Sequence, residues 1–263
     1  MDNFILLSFD LEEFDAPEEY GQVLEEKVKF EVSFAGLKSV ISLLDKLDIR
    51  VTFFVTANFA LNYPAMIKEL AQKHEIASHG FYHSQFAIAD LQKSKQALEA
   101  ITEQAILGFR MARLQAIDET AIGDAGYVYN SSMNPTYLPG RYNNFFKPRT
   151  AYYANQILNI PVSVTPLIRF PLFWLSFKNF PLAWIKLASK FTLKTDNYLS
   201  LYFHPWEFTN LASFQLPGYV KRHSGRAMIQ RLEQYLIWLK QQGEFISFLE
   251  LVNKLDQRQL NVN

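Results

Sequence analysis

Residues 4–14 read FILLSFDLEEF, an apolar run broken only by Ser8 and closed at once by Asp10, Glu12 and Glu13. A short run without polar alternation fits a strand buried on both faces, as in a parallel sheet. The next such run is VTFFV (51–55). Between the two, GLKSVISLLDKLDI places Leu37, Val40, Ile41, Leu44 and Leu47 on one helical face. YPAMIKELAQKH, with Pro64 suited to a first helical turn, leads into EIASH (75–79). DLQKSKQALEAITEQA repeats the pattern, with Asp90 as N-cap and Leu91, Leu98, Ile101 and Ala105 inward. LGFR (107–110), a short helix from Asp118 and YVYNSS (127–132) follow. Later strands are expected in ILNIPVSV, YLSLYFH (198–204) and EFISF (244–248). A helix near 225–242 turns Met228, Ile229, Leu232, Leu236 and Leu239 inward and stops at Gly243, and SFLE reads as a capping box for a last helix. Strands alternating with helices in this way predict a parallel barrel or a wound sheet.

The whole chain narrows the function. Its 263 residues hold 26 Lys+Arg and 26 Asp+Glu, a balance that gives no support to a broad nucleic-acid-binding surface. Cysteine is absent, so any metal must be held by imidazole and carboxylate. The uncharged run Thr150 to Ile168 contains Asn155, Gln156, Asn159 and two prolines and is too polar for a membrane span. MDNFILLSFDLEEF has no basic region before its apolar run and reads as a first strand rather than a signal peptide, so a cytoplasmic location is expected. No linker divides the chain, and one domain over 1–263 is the simplest organisation.

In barrels and wound sheets the chemistry lies beyond the carboxyl ends of the strands. Asp10 and Glu12 end the first strand, His79 ends EIASH, Arg110 ends LGFR and His204 ends YLSLYFH. HEIASHGFYH (74–83) holds three of the five histidines, with His79 and His83 four apart. Two imidazoles and one carboxylate with a position left open for water make a catalytic zinc arrangement. His79 and His83 would give the nitrogens and the first strand the oxygen. Gly80 follows His79 where a zinc-protease helix would have its glutamate, so the base must come from Asp10, Glu12 or Glu13.

SFDLEEF, SHGFYH, GFRMAR, DAGYVYNSS and LYFHPWEF occur in the order of the motifs of the polysaccharide deacetylase superfamily (NodB homology, carbohydrate esterase family 4). The chain most resembles the branch with Asp-x-Glu in the first motif and His-Pro-Trp-Glu in the last. That resemblance implies a distorted (β/α)7 barrel and metal-assisted hydrolysis of an acetyl group on a sugar, with a divalent metal, most simply zinc. By position it makes Asp10 the base, Glu12, His79 and His83 the metal ligands, Arg110 the group that orients the base, and His204 the acid. It also puts forward Tyr129, Asn130, Trp206 and Glu207 for substrate binding, with Glu207 either orienting His204 or lining the sugar site. Two departures stand out: GFRMAR lacks the proline usual after the arginine, and the ligand is Glu where better-known members have Asp, which leaves Glu13 as a substitute.

Bland roles are expected for other polar residues. His74 and His223 read as surface residues, Arg113 as one half of a structural ion pair, and Asp124 as a helix-end residue or a functional one. RFPLFWLSFKNFPLAWIKLASKF (169–191) has no acid and reads as an aromatic helical insertion on the barrel, with a sugar-stacking lid or a peripheral membrane contact as the sharper alternatives. The resemblance leads to a deacetylase of an N-acetylated glycan or its precursor in bacterial glycan biosynthesis. The alternatives are an allantoinase-like hydrolase of a cyclic amide or ureide, with or without metal, and a non-catalytic carbohydrate-binding relative. Nothing in the sequence fixes the oligomeric state.

Overall fold

The structure is a computed structural model and describes residues 3–260. Strand β1 (Phe4–Leu11) leads through α1 (Glu26–Leu47) to β2 (Thr52–Val55), and α2 (Ala57–Asn62) and α3 (Pro64–Leu70) precede β3 (Glu75–Ser78). Helix α4 (Ala89–Thr102) precedes β4 (Gly108–Phe109), and α5 (Glu119–Asp124) precedes β5 (Tyr129–Asn130). A hairpin of β6 (Tyr137–Leu138) and β7 (Tyr142–Asn143) comes next, then β8 (Tyr152–Ala154) antiparallel to β9 (Ile157–Asn159). Helices α6 (Trp174–Asn179) and α7 (Leu182–Asp196) lead to β10 (Tyr198–Phe203). The remaining elements are α8 (Gly218–Lys221), α9 (Arg226–Leu239), β11 (Glu244–Phe245) and α10 (Phe248–Leu260).

The strands β10-β1-β2-β3-β4-β5-β9 run parallel in one curled sheet, and β11 adds to the start of β1. No ladder joins β9 to β10 among the described residues; the Ser163 N–H donates to the Ser200 carbonyl across that gap at 2.9 Å. The result is the distorted (β/α) barrel expected from the sequence.

Strand parity decides what faces inward, because successive side chains point to opposite faces. In β1, Ile5, Leu7, Phe9 and Leu11 pack outward in one core with Leu37, Val40 and Leu44 of α1. Phe4 and Leu6 face the barrel interior with Phe54, Ala77 and Tyr198. Ser8, Asp10 and Glu12 share that inward parity. His79 follows Ala77, and His204 follows Tyr202 and Ser200, with the same parity. The alternation that fills the lower barrel with apolar groups therefore delivers polar ones to its upper end.

Most elements fall where expected, with local corrections. Helix α4 is capped at Ile88 rather than Asp90, whose carboxylate accepts the Ala87 N–H at 2.9 Å. Ala105 lies beyond that helix and is exposed. ILNIPVSV is a strand only to Asn159, and EFISF only to Phe245, with Phe248 opening α10. The SFLE capping box forms reciprocally, Ser247 N–H to Glu250 Oε2 at 2.7 Å and Glu250 N–H to Ser247 Oγ at 3.2 Å. Segment 169–191 is helical only from Trp174, with a break at Phe180 and Pro181 between α6 and α7, and ahead of α6 it is irregular, with Pro171 bridging to Val164.

Candidate metal and catalytic site

Asp10 ends up against Arg110, which is wholly buried with its Nη1 2.6 Å from Asp10 Oδ1. The guanidinium is fixed from every side. It donates to Ser8 Oγ at 2.9 Å, to the Ser131 carbonyl at 3.1 Å and to Ser131 Oγ at 2.9 Å, and lies 3.9 Å from the Phe54 ring centre. A fork with this many partners holds the carboxylate in one orientation.

Two residues along, Glu12 turns to the histidines. Its Oε2 lies 3.1 Å from Nε2 of both His79 and His83, and its Oε1 accepts the Trp206 indole N–H at 3.2 Å. Glu13 points elsewhere, accepting from Thr56 Oγ1 at 2.8 Å and from Asn58. His79 follows the last residue of β3, and Gly80 then adopts a φ of +84°, the left-handed backbone that glycine takes without strain. That reversal returns His83 to the same site.

Both imidazoles are oriented through their other nitrogen. His79 Nδ1 donates to the Arg110 carbonyl at 2.9 Å, and His83 Nδ1 is 2.8 Å from Asp15 Oδ1. Arg113 in turn reaches Asp15 Oδ2 at 3.2 Å and Glu19 at 3.3 Å. With Nδ1 committed, each Nε2 faces Glu12 Oε2, an arrangement that needs a proton or a cation between the atoms. Glu12, His79 and His83 are the metal-capable group among the described residues, with ligand atoms within 4.8 Å of one another. Ligands on a tetrahedral zinc would stand roughly 3.4 Å apart, close to the Glu12 separations seen here. The donor set fits a divalent cation.

The electrostatics agree. Burial alone would raise the Glu12 carboxyl, but His83, His204 and His79 outweigh it and hold it well below the usual range. Burial would lower His83, but Glu12 and Asp15 raise it to about 9. The same two carboxylates that retain that proton would favour a cation in its place.

His204 follows β10 and stacks on Trp206, ring centres 5.0 Å apart. Its Nδ1 lies 3.1 Å from Glu207 Oε1, which also accepts the His204 backbone N–H at 2.8 Å. Burial would lower His204, but Glu12, Glu207 and Asp10 together raise it. Glu207 is fully buried and does not reach the pocket; of its two expected roles the geometry favours orienting His204. Behind it, the equally buried Lys178 of α6 places Nζ 3.2 Å from Glu207 Oε2, an ion pair not aligned as a hydrogen bond.

These groups open into a pocket of about 340 Å³ lined by Asp10, Glu12, His79, His83, His204 and Trp206. Trp174 and Leu175 of α6 form one wall, and Leu138 and Tyr142 of the β6–β7 hairpin another. Two expected substrate-binding residues are not there. Tyr129 points down the barrel and donates to Glu75 Oε1 at 2.7 Å. Asn130 donates to Asn159 at 2.8 Å and accepts from the Ser132 N–H at 3.1 Å, a structural role. His74 is buried rather than on the surface, His223 is half-buried, and Asp124 is an exposed helix end. Sequence reasoning missed Asp15, one acid among several that follow the first strand, and Trp174 and Lys178, which the aromatic segment concealed.

The polysaccharide deacetylase family model matches residues 34–129. No curated protein gives a significant match. Among solved structures, a Mycobacterium smegmatis protein assigned to the polysaccharide deacetylases superposes with a TM-score of 0.64 at 15% identity, covering 97% of this chain and 90% of that one. Puue allantoinase superposes at 0.67 and 15% identity, covering 95% and 89%. A CE4 family pseudoenzyme from Bacillus anthracis reaches 0.52 at 13% identity, covering 95% of this chain and 65% of its own. A polysaccharide deacetylase match over residues 34–129, set in a barrel shared along nearly the whole chain, is the relationship these findings establish.

Proposed function

We propose that the protein is a metal-dependent amidohydrolase that removes acetyl groups from N-acetylated sugar residues. The observation that carries this reading is the convergence of three separately anchored units on one pocket: Asp10 with Arg110, Glu12 with His79 and His83, and His204 with Glu207. A divalent cation, most simply zinc, would be held by Glu12, His79 and His83 and would supply Lewis acidity toward water and an amide carbonyl. Asp10, held and aimed by Arg110, takes the proton of the attacking water. Glu12, Glu207 and Asp10 favour the charged form of His204, in which it has a proton to give. It gives that proton to the leaving nitrogen as the C–N bond breaks, the transfer an amide needs because a free amide anion is a poor leaving group. Trp174, half-buried in the pocket wall, offers an aromatic surface on which a sugar ring can rest, whereas Trp206 is buried between His204 and Phe14 and serves the site through its indole N–H on Glu12.

A second reading, hydrolysis of a cyclic ureide, draws on the pocket walls that α6 and the hairpin raise around the site and on the likeness to the allantoinase. The experiment incubates zinc-loaded protein with N-acetylglucosamine oligomers and, separately, with allantoin. Acetate release is expected from the first, lowered by roughly 100-fold or more in Asp10→Asn, the loss expected for a general base. Ring opening of allantoin without acetate release selects the second reading. Turnover of neither substrate class by metal-loaded protein sinks both.

A further inference from the structure

Between Asp124 and Asp196 the chain contains no Asp or Glu but eight Lys and Arg, so its neutral total hides a strong asymmetry. Arg141 is paired with Glu19, Arg149 with Asp196, and Lys178 is buried on Glu207. Lys147, Arg169, Lys186, Lys190 and Lys194 form no ion pair among the described residues.

The same stretch exposes large apolar side chains. Helix α7 buries Ile185, Ala188, Thr192 and Leu193 but leaves Trp184, Leu187 and Phe191 outward, with Leu187 60% exposed. Phe170 joins this face to the neighbouring turn, its ring 4.9 Å from Phe180 and 6.0 Å from Trp184. In that turn Leu167 and Arg169 adopt φ of +67° and +54°, a conformation such residues rarely take, and Leu167 and Ile168 stand in solvent. Arg169 ties the turn to the hairpin region by donating to the Pro135 and Lys147 carbonyls, and there Phe146 is 92% exposed. The hairpin's Leu138 and Tyr142 already line the pocket. An apolar, basic rim thus runs from the pocket wall to the outer face of α7, built from a stretch with no acid of its own and met by the Glu19 and Asp196 carboxylates only where they pair with Arg141 and Arg149.

We propose that this rim docks the protein on an anionic lipid surface with the pocket mouth beside the bilayer. Exposed Trp184, Leu187 and Phe191 beside unpaired lysines, on a stretch with no Asp or Glu of its own, match the interfacial region of a membrane and its negative headgroups. No helix among the described residues is long and apolar enough to cross a bilayer, so the contact is superficial. The inference holds whatever reaction the pocket performs.

The test is co-sedimentation of the full chain with vesicles of phosphatidylglycerol and phosphatidylcholine, and with phosphatidylcholine alone, at low and high salt. Retention is expected on the anionic vesicles at low salt, with release at high salt. Leu187→Glu/Phe191→Glu should weaken it about tenfold or more, and Lys190→Gln/Lys194→Gln, which leaves all apolar packing in place, should reduce its salt sensitivity. Metal binding at the pocket in each variant reports that the fold is retained. Absence of retention at low salt overturns the proposal, as does retention indifferent to both double variants. Sedimentation velocity without lipid adds a further check: self-association abolished by the same substitutions, with no vesicle binding, assigns the face to a second copy instead.

Discussion

Asp10 and Glu12 share a strand and a parity, yet their partners give them different work. Asp10 is clamped by a guanidinium, whereas Glu12 faces three imidazoles and an indole N–H. The less visible residues behind them are open to test. Asp15 fixes the His83 tautomer and adds negative charge behind it. Asp15→Asn should keep the fold but weaken zinc binding by roughly 10–100-fold, the usual effect of losing a group that orients a ligand; competition against a chromophoric chelator reads it. Glu207 acts on the opposite side. The proposed acid must be protonated to work, so turnover through His204 would be lost as pH rises through its pKa, which the Glu207 charge raises. Glu207→Gln retains an oxygen for the His204 backbone N–H but removes the charge, so the basic limb of the pH–rate profile should move to lower pH. It also strands the buried Lys178 ammonium, which burial already pushes down. The paired variant Lys178→Met/Glu207→Gln should therefore be more stable than Glu207→Gln alone while keeping the shifted limb. An unmoved limb in both variants would remove Glu207 from the proton-transfer step.

At the scale of elements, the turn from α3 into β3 carries a pH-sensitive joint. His74 is buried, its ring 5.3 Å from that of Phe53, and its Nδ1 accepts the Val51 N–H at 3.4 Å. Burial, with help from Lys73, lowers its pKa to about 4. The folded value lies below the unfolded one, so the stabilisation is complete above pH ~6.5 and is lost as pH falls toward 4, where the unfolded chain binds the proton first. Protonation would also turn the Nδ1 acceptor into a donor facing another donor. The loss should amount to on the order of 2 kcal/mol. His74→Gln, which keeps an acceptor but cannot titrate, should flatten this part of the urea-midpoint profile between pH 7 and pH 4.5. A wild-type and variant profile of equal slope would dismiss the joint. The local signs that placed β3 here, alternation and flanking helices, were legible in the sequence; the burial of His74 was not, since Phe53 and Val51 reach it only when β2 and β3 pair.

Across the whole molecule, the sequence revealed most where a residue's own strand determines its direction. Asp10, His79, Arg110 and His204 could be placed at strand ends because an apolar run reports its length and its parity reports its facing. Tyr129 and Asn130 failed that logic because β5 has only two paired residues, too few to define a facing, and Tyr129 instead fills space over Gly108. Asp15, Lys178 and the hairpin walls were illegible because their partners come from other parts of the chain and meet them only in the assembled barrel. Gly36 is the sharpest case of such long-range dependence. It lies in the middle of α1 at a close approach to the turn Pro205–Phe208, which follows His204 and carries Trp206 and Glu207. A Cβ on Gly36 would sit 1.8 Å from the Pro205 carbonyl oxygen, a backbone atom that cannot swing aside. Either α1 or the turn must move, and the turn holds the proposed acid and the indole on Glu12. Gly36→Ala, although favourable by helix propensity, should destabilise the fold by about 1–3 kcal/mol through overpacking. Turnover should fall with it, although residue 36 does not line the pocket. Ala35→Ser, on the exposed side of the same turn of helix, serves as the control and should stay within about 0.5 kcal/mol of wild type. Denaturant midpoints and acetate release on the two variants decide it: a Gly36→Ala protein as stable and as active as the control would mean that the turn beyond β10 can relax without disturbing His204.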